Sequence, residues 1–239
     1  MTPATAEPFM PAAGTAVLEN LAFDLAREAG ELSAQLHPVV RLSVAELVRS
    51  MNSYYSNLIE GHNTHPRDID GALSADYSSD PHRRDLQLEA RAHIEVQQMI
   101  DERVDERPRP PASRAFIEWT HREFCARLPE SLLVALNPDT KDRIPIVPGQ
   151  MRSRTVAVGR YVAPAAEDLP AFMRRFEEAY ESARLTKPRQ VIAVAAAQYR
   201  FLWIHPFLDG NGRVARLMSH AMLMEIGIGS ASHGNVRTR

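Results

Sequence analysis

The sequence predicts an all-α protein with a single short β-hairpin. In most segments apolar residues recur at three- and four-residue steps, as they do on one face of a helix. Residues that cap helix N-termini stand before several of these segments. The only convincing strand-like run is residues 155–158, which Gly149 and Gly159 flank. Strands and helices do not alternate along the 239 residues, which argues against a doubly wound sheet.

The first 61 residues predict an arm and two helices. Residues 1–14 contain three prolines and no hydrophobic period, so we expect a flexible arm. A second helix is predicted over 43–61, because Ser43 and Glu46 have the spacing of a capping box and Gly61 follows the last turn. The first helix is predicted from an apolar stripe formed by Leu18, Leu21, Leu25, Ala29, Leu32 and Leu36.

Five further helices follow along the chain. Asp80 and Pro81 predict the start of a long helix that runs to about Val104. Ser113 is the expected cap of the next helix, which ends near Leu128, and residues 137–153 are predicted to be a loop. The remaining helices are expected over 167–183, 189–204 and 210–226. The last two are apolar nearly all round, which predicts a central position in the core.

Composition excludes several classes of protein. Apolar residues make up 44% of the chain and charged residues 24%, which is typical of a folded globular protein. The net charge of −2 argues against a nucleic-acid-coating protein. The single cysteine, Cys125, excludes an internal disulfide framework. We find no secretory signal and no long apolar run, so we expect a cytoplasmic protein that does not enter the membrane.

One segment, residues 205–216 (HPFLDGNGRVAR), has the features of an anion-binding site. A predicted buried helix ends at His205, a turn with two glycines follows, and another helix begins. The first turn of a helix presents unpaired N–H groups and positive dipole, and glycines let the backbone approach a ligand closely. Arg213 and Arg216 lie on one face near this positive end, an arrangement that is unfavourable unless an anion is bound. A polyphosphate is the expected anion.

Two further side chains suggest chemistry at this turn. Asp209 either caps the helix or holds Mg²⁺ against phosphate oxygens. His205 is placed where a general base could reach an incoming hydroxyl. Each of these residue types taken alone is most often structural, but their combination within twelve residues predicts a functional site. The other histidines carry less weight: we expect His121 in the core, and His62, His65 and His82 at the surface.

Residues 205–216 match all nine specified positions of the signature H-P-F-x-[D/E]-G-N-G-R-x-x-R, so the chain resembles the Fic (filamentation induced by cAMP) domain family. Residues 148–159 are similar to the P-G-x-x-R…V-x-[IV]-G segment, which forms a β-hairpin flap beside the active site in that family. The resemblance implies an N-terminal helical region over 15–110 and a Fic core over 111–228. The flap would span about 147–162, and residues 229–239 would form a flexible tail.

The resemblance implies a protein adenylyltransferase, which transfers AMP from ATP to a Ser, Thr or Tyr hydroxyl of a target protein. By position, His205 would deprotonate that hydroxyl and Asp209 would bind Mg²⁺ or Mn²⁺. The flap would dock the protein substrate as an added strand. The phosphates would be held by Gly210, Asn211 (including its side chain), Gly212, Arg213 and, at the γ-phosphate, Arg216.

Residues 56–61 (SNLIEG) resemble the inhibitory motif [S/T]-x-x-x-[E/D]-[G/N] of the same family. Ser56 and Glu60 are four residues apart and share a helix face, and Gly61 ends the helix. By analogy, Glu60 would pair with Arg216 and keep ATP out of register.

Two other functions fit the same residues. The site could remove AMP from a modified protein, since that reaction also needs His205, Asp209 and a divalent ion. Alternatively, the chain could be a nucleotide-binding interaction module without turnover, although an intact His205 argues against that hypothesis. The sequence leaves open the target protein and residue, self-modification, the choice of nucleotide and the oligomeric state.

Overall fold

The computed structural model describes residues 10–12, 14–102, 109–137 and 140–228, and within these ranges it confirms the all-α class. Only two small antiparallel hairpins accompany the helices of the described residues. The helices are α1 (Ala16–Gln35), α2 (Pro38–Ile59), α3 (Pro66–Leu73), α4 (Pro81–Asp101), α5 (Arg114–Cys125), α6 (Leu169–Tyr180), α7 (Lys187–Ile204) and α8 (Asn211–Glu225). The strands are β1 (Val134–Leu136), β2 (Arg143–Pro145), β3 (Ala157–Val158) and β4 (Tyr161–Val162).

Helix α8 occupies the centre of the fold. It packs against α2, α4, α5 and α7, and Leu217 and Met218 on it are at most 1% exposed. The same core includes Val96 on α4 and Phe116 on α5, so the predicted N-terminal region and the predicted Fic core share one hydrophobic interior. The prediction for α7 is only partly correct: it packs between α1, α6 and α8, but Tyr199 on its outer face is 73% exposed.

The predicted caps at Asp80 and Ser113 are confirmed. Asp80 Oδ1 accepts a hydrogen bond from the Arg83 N–H at 2.7 Å, and Ser113 Oγ accepts one from the Phe116 N–H at 3.1 Å. The predicted capping box at Ser43 and Glu46 is wrong.

Helix α2 begins five residues earlier than predicted. Pro38 stands at its first position, and the side chain of the preceding residue, His37, is the N-cap acceptor. Proline is favoured at a first helical position because it has no N–H to leave unpaired. Ser43 therefore lies inside the helix, and its hydroxyl donates back to the Val39 carbonyl at 3.5 Å.

Two short elements were not predicted. Helix α3 has only eight residues, which is too few to establish a hydrophobic period, although His65 caps it and Pro66 opens it. The β1–β2 hairpin, with Ala135 opposite Ile144, extends into the segment that was predicted to be a loop. Its strands have three residues each, too short for the alternation that identifies a strand.

The predicted flap hairpin is present. Strands β3 and β4 pair in antiparallel register, with Ala157 opposite Val162 and Val158 opposite Tyr161. Gly159 in the connecting turn has φ +58°, a conformation that glycine adopts without strain.

Most of the two predicted terminal segments cannot be compared with the structure. The tail over 229–239 lies outside the described residues, and so does most of the predicted arm. Met10 packs against the main core, and Arg189 donates to the Pro11 carbonyl at 3.3 Å, so the end of the arm is attached to the fold. Among the described helices, none combines the length and the hydropathy that crossing a bilayer requires.

Candidate active site

The predicted anion-binding turn joins α7 to α8. His205 ends α7 in the left-handed conformation, with φ 51° and ψ 61°. A non-glycine residue in this region costs about 1 kcal/mol or more, so the surrounding structure must hold it there. Gly210, with φ 76°, precedes the first residue of α8 and also has a left-handed conformation.

The ring of His205 is oriented by its own helix. Its Nδ1 lies 3.3 Å from the Leu202 carbonyl oxygen, and this contact is a hydrogen bond only if Nδ1 carries the proton. Nε2 then keeps its lone pair and can accept a proton. Burial lowers the pKa of His205 from its ordinary value, so the imidazole is neutral near pH 7. Both features suit a general base.

The side chain of Asn211 closes the turn. Its Oδ1 accepts from the Phe207 N–H at 2.9 Å, and its Nδ2 donates to the Phe207 carbonyl at 3.0 Å. Nδ2 has a second N–H, so these two bonds leave a donor for phosphate, and the expected phosphate contact of this side chain stays a prediction. The backbone N–H of Asn211 still belongs to the first turn of α8.

Asp209 is exposed and lies at the start of α8. One of its carboxylate oxygens accepts from the Gly210 N–H at 2.6 Å. A cluster of three or more metal-ligating side chains is absent from the described residues. The single carboxylate of Asp209 at the start of α8 fits the chemistry of Mg²⁺, which is commonly held by one or two carboxylates together with substrate phosphates and waters.

The carboxylate of Glu60 lies on the first turn of α8. A Cβ atom at Gly212 would overlap Glu60 Oε1, which shows how closely the carboxylate approaches the helix. Glu60 follows the last residue of α2, where the helix dipole is unfavourable for an anion, and it reaches the positive end of α8 instead. Gly61, with φ +82°, allows the chain to turn immediately after it.

Arg216 is bound by the two residues that the sequence singled out. Its NH2 donates to Glu60 Oε1 at 2.6 Å, and its Nε donates to Ser56 Oγ at 2.8 Å. The Arg216 and Glu60 side chains are 20% and 29% exposed, so solvent only partly screens the pair. The structure thus brings together Ser56, Glu60 and Arg216 across 160 residues of sequence.

Arg213 is bound by a residue that the sequence did not reveal. Its NH2 lies 2.5 Å from Glu89 Oε1 on α4, and both side chains are about 5% exposed. The second Glu89 oxygen lies 2.5 Å from Nδ1 of His62. The prediction that His62 lies at the surface is only partly correct, because its side chain is 35% exposed but is paired with Glu89. Its partner is 27 residues away, and no local spacing signals the pair.

Arg152 connects the flap to the turn. Its buried guanidinium donates to the carbonyls of His205 at 2.8 Å, Arg154 at 2.8 Å and Pro164 at 2.6 Å. Its backbone N–H donates to the Pro206 carbonyl at 2.9 Å. These bonds fix the carbonyl of His205, the residue held in the left-handed conformation. Burial lowers the pKa of Arg152 from its ordinary value.

His121 packs against the turn from the core, as predicted. Its ring stacks on Phe207 with centroids 3.9 Å apart, and its Nδ1 accepts from the Gly149 N–H at 2.8 Å. Because burial lowers its pKa to about 4, His121 is neutral at pH 7 and binds by shape and hydrogen bonding, without charge.

A cavity of about 300 Å³ adjoins the start of α8. Its polar wall contains Asp209, Gly210 and Arg213, and Glu60 and Glu89 also line it. Phe124 and Ile146 contribute apolar surface to the same cavity. The combination of an apolar surface with a few convergent polar groups is typical of a small-molecule site.

Comparison with known proteins supports this assignment. Residues 111–223 match the profile of the family described as Fic/DOC. Residues 111–223 form a Fic/DOC domain. The proteins named protein adenylyltransferase Fic from Drosophila erecta and Drosophila ananassae are 40% and 41% identical to the chain over 83 residues. This match covers 35% of the chain and 17% of each relative, so the chain spans about one sixth of those proteins.

Solved structures extend the similarity in fold over most of the chain. A Fic-domain-containing signalling protein from Bacteroides thetaiotaomicron has a TM-score of 0.61 at 23% identity, covering 88% of this chain and 73% of that one. A Fic family protein from Desulfovibrio desulfuricans has a TM-score of 0.63 at 17% identity, and the match covers 92% of this chain and 60% of that one. The helices that precede the Fic domain therefore also occur in a known arrangement.

We predict that Arg152→Lys weakens the link between flap and turn. An ammonium group cannot reach the separate carbonyls that the planar guanidinium bonds, so buried acceptors lose partners. We expect the free energy of unfolding to fall by about 1–3 kcal/mol and amide exchange in the flap to quicken, measured by urea denaturation and hydrogen exchange. The control is Arg154→Lys on the exposed neighbour, and an equal loss in both variants would contradict the assignment.

The low pKa of His121 predicts acid sensitivity. Between pH 6.5 and about 4 the unfolded chain binds a proton that the folded chain does not. The free energy of unfolding therefore decreases as the pH is lowered through this window. The contribution of this residue is about 1.4 kcal/mol per pH unit. Urea denaturation across this range should give a shallower pH dependence for His121→Asn, by about that slope, than for wild type. The exposed His82→Ala control should keep the wild-type slope.

Proposed function

We propose that the Fic domain transfers AMP from ATP to a Ser, Thr or Tyr hydroxyl of a target protein. The observation that carries the proposal is the position of His205, in the turn that leads into a helix with two arginines near its N-terminus. With the proton on Nδ1, toward the Leu202 carbonyl, Nε2 is available as a base. The relatives named protein adenylyltransferase Fic support the same reaction.

The triphosphate would bind at the start of α8. The backbone N–H groups of residues 210–213 and the arginines Arg213 and Arg216 supply donors and positive charge. Glycine at 212 leaves room for an anion against the helix, as the position of the Glu60 carboxylate shows. Asp209 would hold Mg²⁺ or Mn²⁺, which when bound neutralises charge on the phosphates.

The transfer itself needs positioning and one proton acceptor. His205 Nε2 takes the proton from the target hydroxyl, whose oxygen then bonds to the α-phosphorus. The bond from the α-phosphorus to the oxygen that bridges it to the β-phosphorus breaks, and pyrophosphate leaves with that electron pair. Charge on the departing pyrophosphate is stabilised by Arg213 and Arg216, so catalysis is mostly electrostatic.

The flap would present the target hydroxyl. Strands β3 and β4 have two residues each, and Val158 and Val162 on them are 51% and 63% exposed. A short, exposed edge can pair with an extended target segment through backbone hydrogen bonds, which select for an extended conformation more than for sequence. Tyr161 anchors this hairpin by donating to the Trp203 carbonyl on α7 at 2.7 Å.

Helix α2 would act as an inhibitor within the same chain. The Glu60 carboxylate lies against the first turn of α8 and accepts a hydrogen bond from the Arg216 guanidinium, the group proposed to bind the terminal phosphate. ATP must displace this carboxylate to bind in register, so the wild-type domain would have low activity until Glu60 moves away.

The test is intact-protein mass spectrometry after incubation with Mg²⁺ and ATP. We predict that Glu60→Gly gains the mass of AMP, on itself or on an added protein mixture, at a rate at least about tenfold above wild type. Glu60→Gly/His205→Ala should gain none, because the base is lost. Glu46→Gly on the exposed face of α2 is the matched control and should behave as wild type.

Each outcome bears on a different hypothesis. AMP transfer by Glu60→Gly alone would support the reaction, the base and the inhibitor together. ATP binding with no transfer by any variant would contradict adenylyl transfer. In that case, His205-dependent release of AMP from a modified protein would indicate that the site removes AMP by hydrolysis. Nucleotide binding that survives His205→Ala without turnover would indicate a binding module.

A further inference from the structure

Glu89 on α4 joins the nucleotide site to the inhibitory segment. It is only 4% exposed, and each of its carboxylate oxygens has a different partner. Oε1 lies 2.5 Å from NH2 of Arg213, and Oε2 lies 2.5 Å from Nδ1 of His62. A buried carboxylate is stable only when it is paired and hydrogen-bonded, so both contacts are part of the folded state.

The two partners belong to opposing parts of the mechanism. Arg213 is one of the proposed phosphate-binding arginines, and His62 stands two residues after the inhibitory Glu60. We infer that Glu89 is a positioning residue with two roles: it orients Arg213 for the nucleotide and, through His62, anchors the segment that holds Glu60 over α8. This inference rests on the proposed function and adds its means of regulation.

Hydrogen bonds in the turn that follows α2 link the position of His62 to the position of Glu60. The His62 N–H donates to the Asn57 carbonyl at 2.9 Å, and Asn57 Nδ2 donates to Thr64 Oγ1 at 3.1 Å in the protein interior. Glu60 lies within the same loop of hydrogen bonds, because its own N–H also donates to the Asn57 carbonyl at 3.1 Å. Fixing the ring of His62 therefore restricts where the Glu60 backbone can lie.

Charge favours the His62–Glu89 pair. The groups that face the imidazole are Glu89 from α4, Arg213 from α8 and Glu60 from the end of α2. The hydrogen bond with Glu89 raises the pKa of His62, although burial and the nearby Arg213 oppose this. Arg213 NH2 lies 3.1 Å from the same Nδ1, and a nitrogen that donates to Glu89 cannot also accept from arginine. The pair with Glu89 is therefore the attractive contact.

Glu60 and Glu89 differ in how easily each can move away from the arginines of α8. The Glu60 side chain is 29% exposed at the end of a helix, and Arg213 NH1 is 3.9 Å from its nearer oxygen. The Glu89 side chain is 5% exposed in the middle of α4. If Glu89 moved away, Arg213 would remain buried without this carboxylate, which is costly. Glu60 is thus the removable inhibitor, and Glu89 keeps Arg213 in place in both states.

The test measures nucleotide affinity without turnover, by calorimetric titration of the full chain with α,β-methylene ATP and Mg²⁺. Four variants are compared with their parents: His62→Ala and Glu89→Gln, each in the wild-type chain and in Glu60→Gly. His62→Ala should tighten binding by at least about fivefold when Glu60 is present and change it less than twofold in Glu60→Gly. Glu89→Gln should weaken binding at least about fivefold in Glu60→Gly, because Arg213 is no longer oriented.

Two matched controls come from the same helix as Glu89. His82→Ala removes an exposed imidazole, and Glu95→Gln removes a half-exposed carboxylate that pairs with Arg91 and Arg127. Both should leave affinity unchanged in either background. Thermal unfolding checks that each variant is folded, and Glu89→Asp, which keeps the charge but shortens its reach, replaces Glu89→Gln if that variant does not fold. Glu89→Asp should also weaken binding in Glu60→Gly.

The dependence on background separates an anchor from a merely structural residue. An equal effect of His62→Ala with and without Glu60 would overturn the anchor, since its role requires Glu60. Unchanged affinity of Glu89→Gln or Glu89→Asp in Glu60→Gly would overturn the positioning of Arg213. Because binding is measured without chemistry, a chain that binds the analogue as predicted but transfers no AMP would disprove the reaction and retain this inference.

Discussion

The site depends on the positive end of α8. The first turn of this helix concentrates backbone N–H groups, and two arginines add positive charge where the dipole is already positive. Such an end requires an anion. In this structure the Glu60 carboxylate supplies it. Under the proposed function, the same positive end would bind either the triphosphate or Glu60. Glycine at 212 leaves room for an anion at this helix end, because a side chain there would overlap the Glu60 carboxylate.

The frame around this helix end is held mostly by neutral groups and backbone carbonyls. Arg152 donates to the carbonyls that surround His205, and His121 stacks on Phe207 while accepting from the flap. Charge is concentrated instead on the groups that are proposed to bind phosphate or to take its place, namely Arg213, Arg216 and Glu60. Arg152 is one exception, since it is a buried charge that bonds to backbone carbonyls. Glu89 is another, since it is a buried charge with two partners. Because Glu89 contacts both Arg213 and His62, the proposed nucleotide binding and the proposed inhibition would share one support.

The sequence predicted the parts of this site that are local in the chain. A twelve-residue segment contains the proposed base, the glycines and both arginines, and Ser56 and Glu60 are one helical turn apart. What it could not predict depends on tertiary packing. The His62–Glu89 pair spans 27 residues, and the use of the Asn211 amide to close the turn follows from backbone geometry. Helix α2 began early because Pro38 outweighed a capping box that matched in sequence alone.

The most direct test of the central claim compares ATP with AMP as ligands. If the Glu60 carboxylate stands in the place of the terminal phosphate, Glu60→Gly should bind α,β-methylene ATP at least about tenfold more tightly than wild type. Its affinity for AMP, which lacks that phosphate, should stay within about twofold of wild type. Equal gains for both ligands, measured by calorimetric titration in Mg²⁺, would contradict the account, because Glu60 would then be blocking the pocket as a whole.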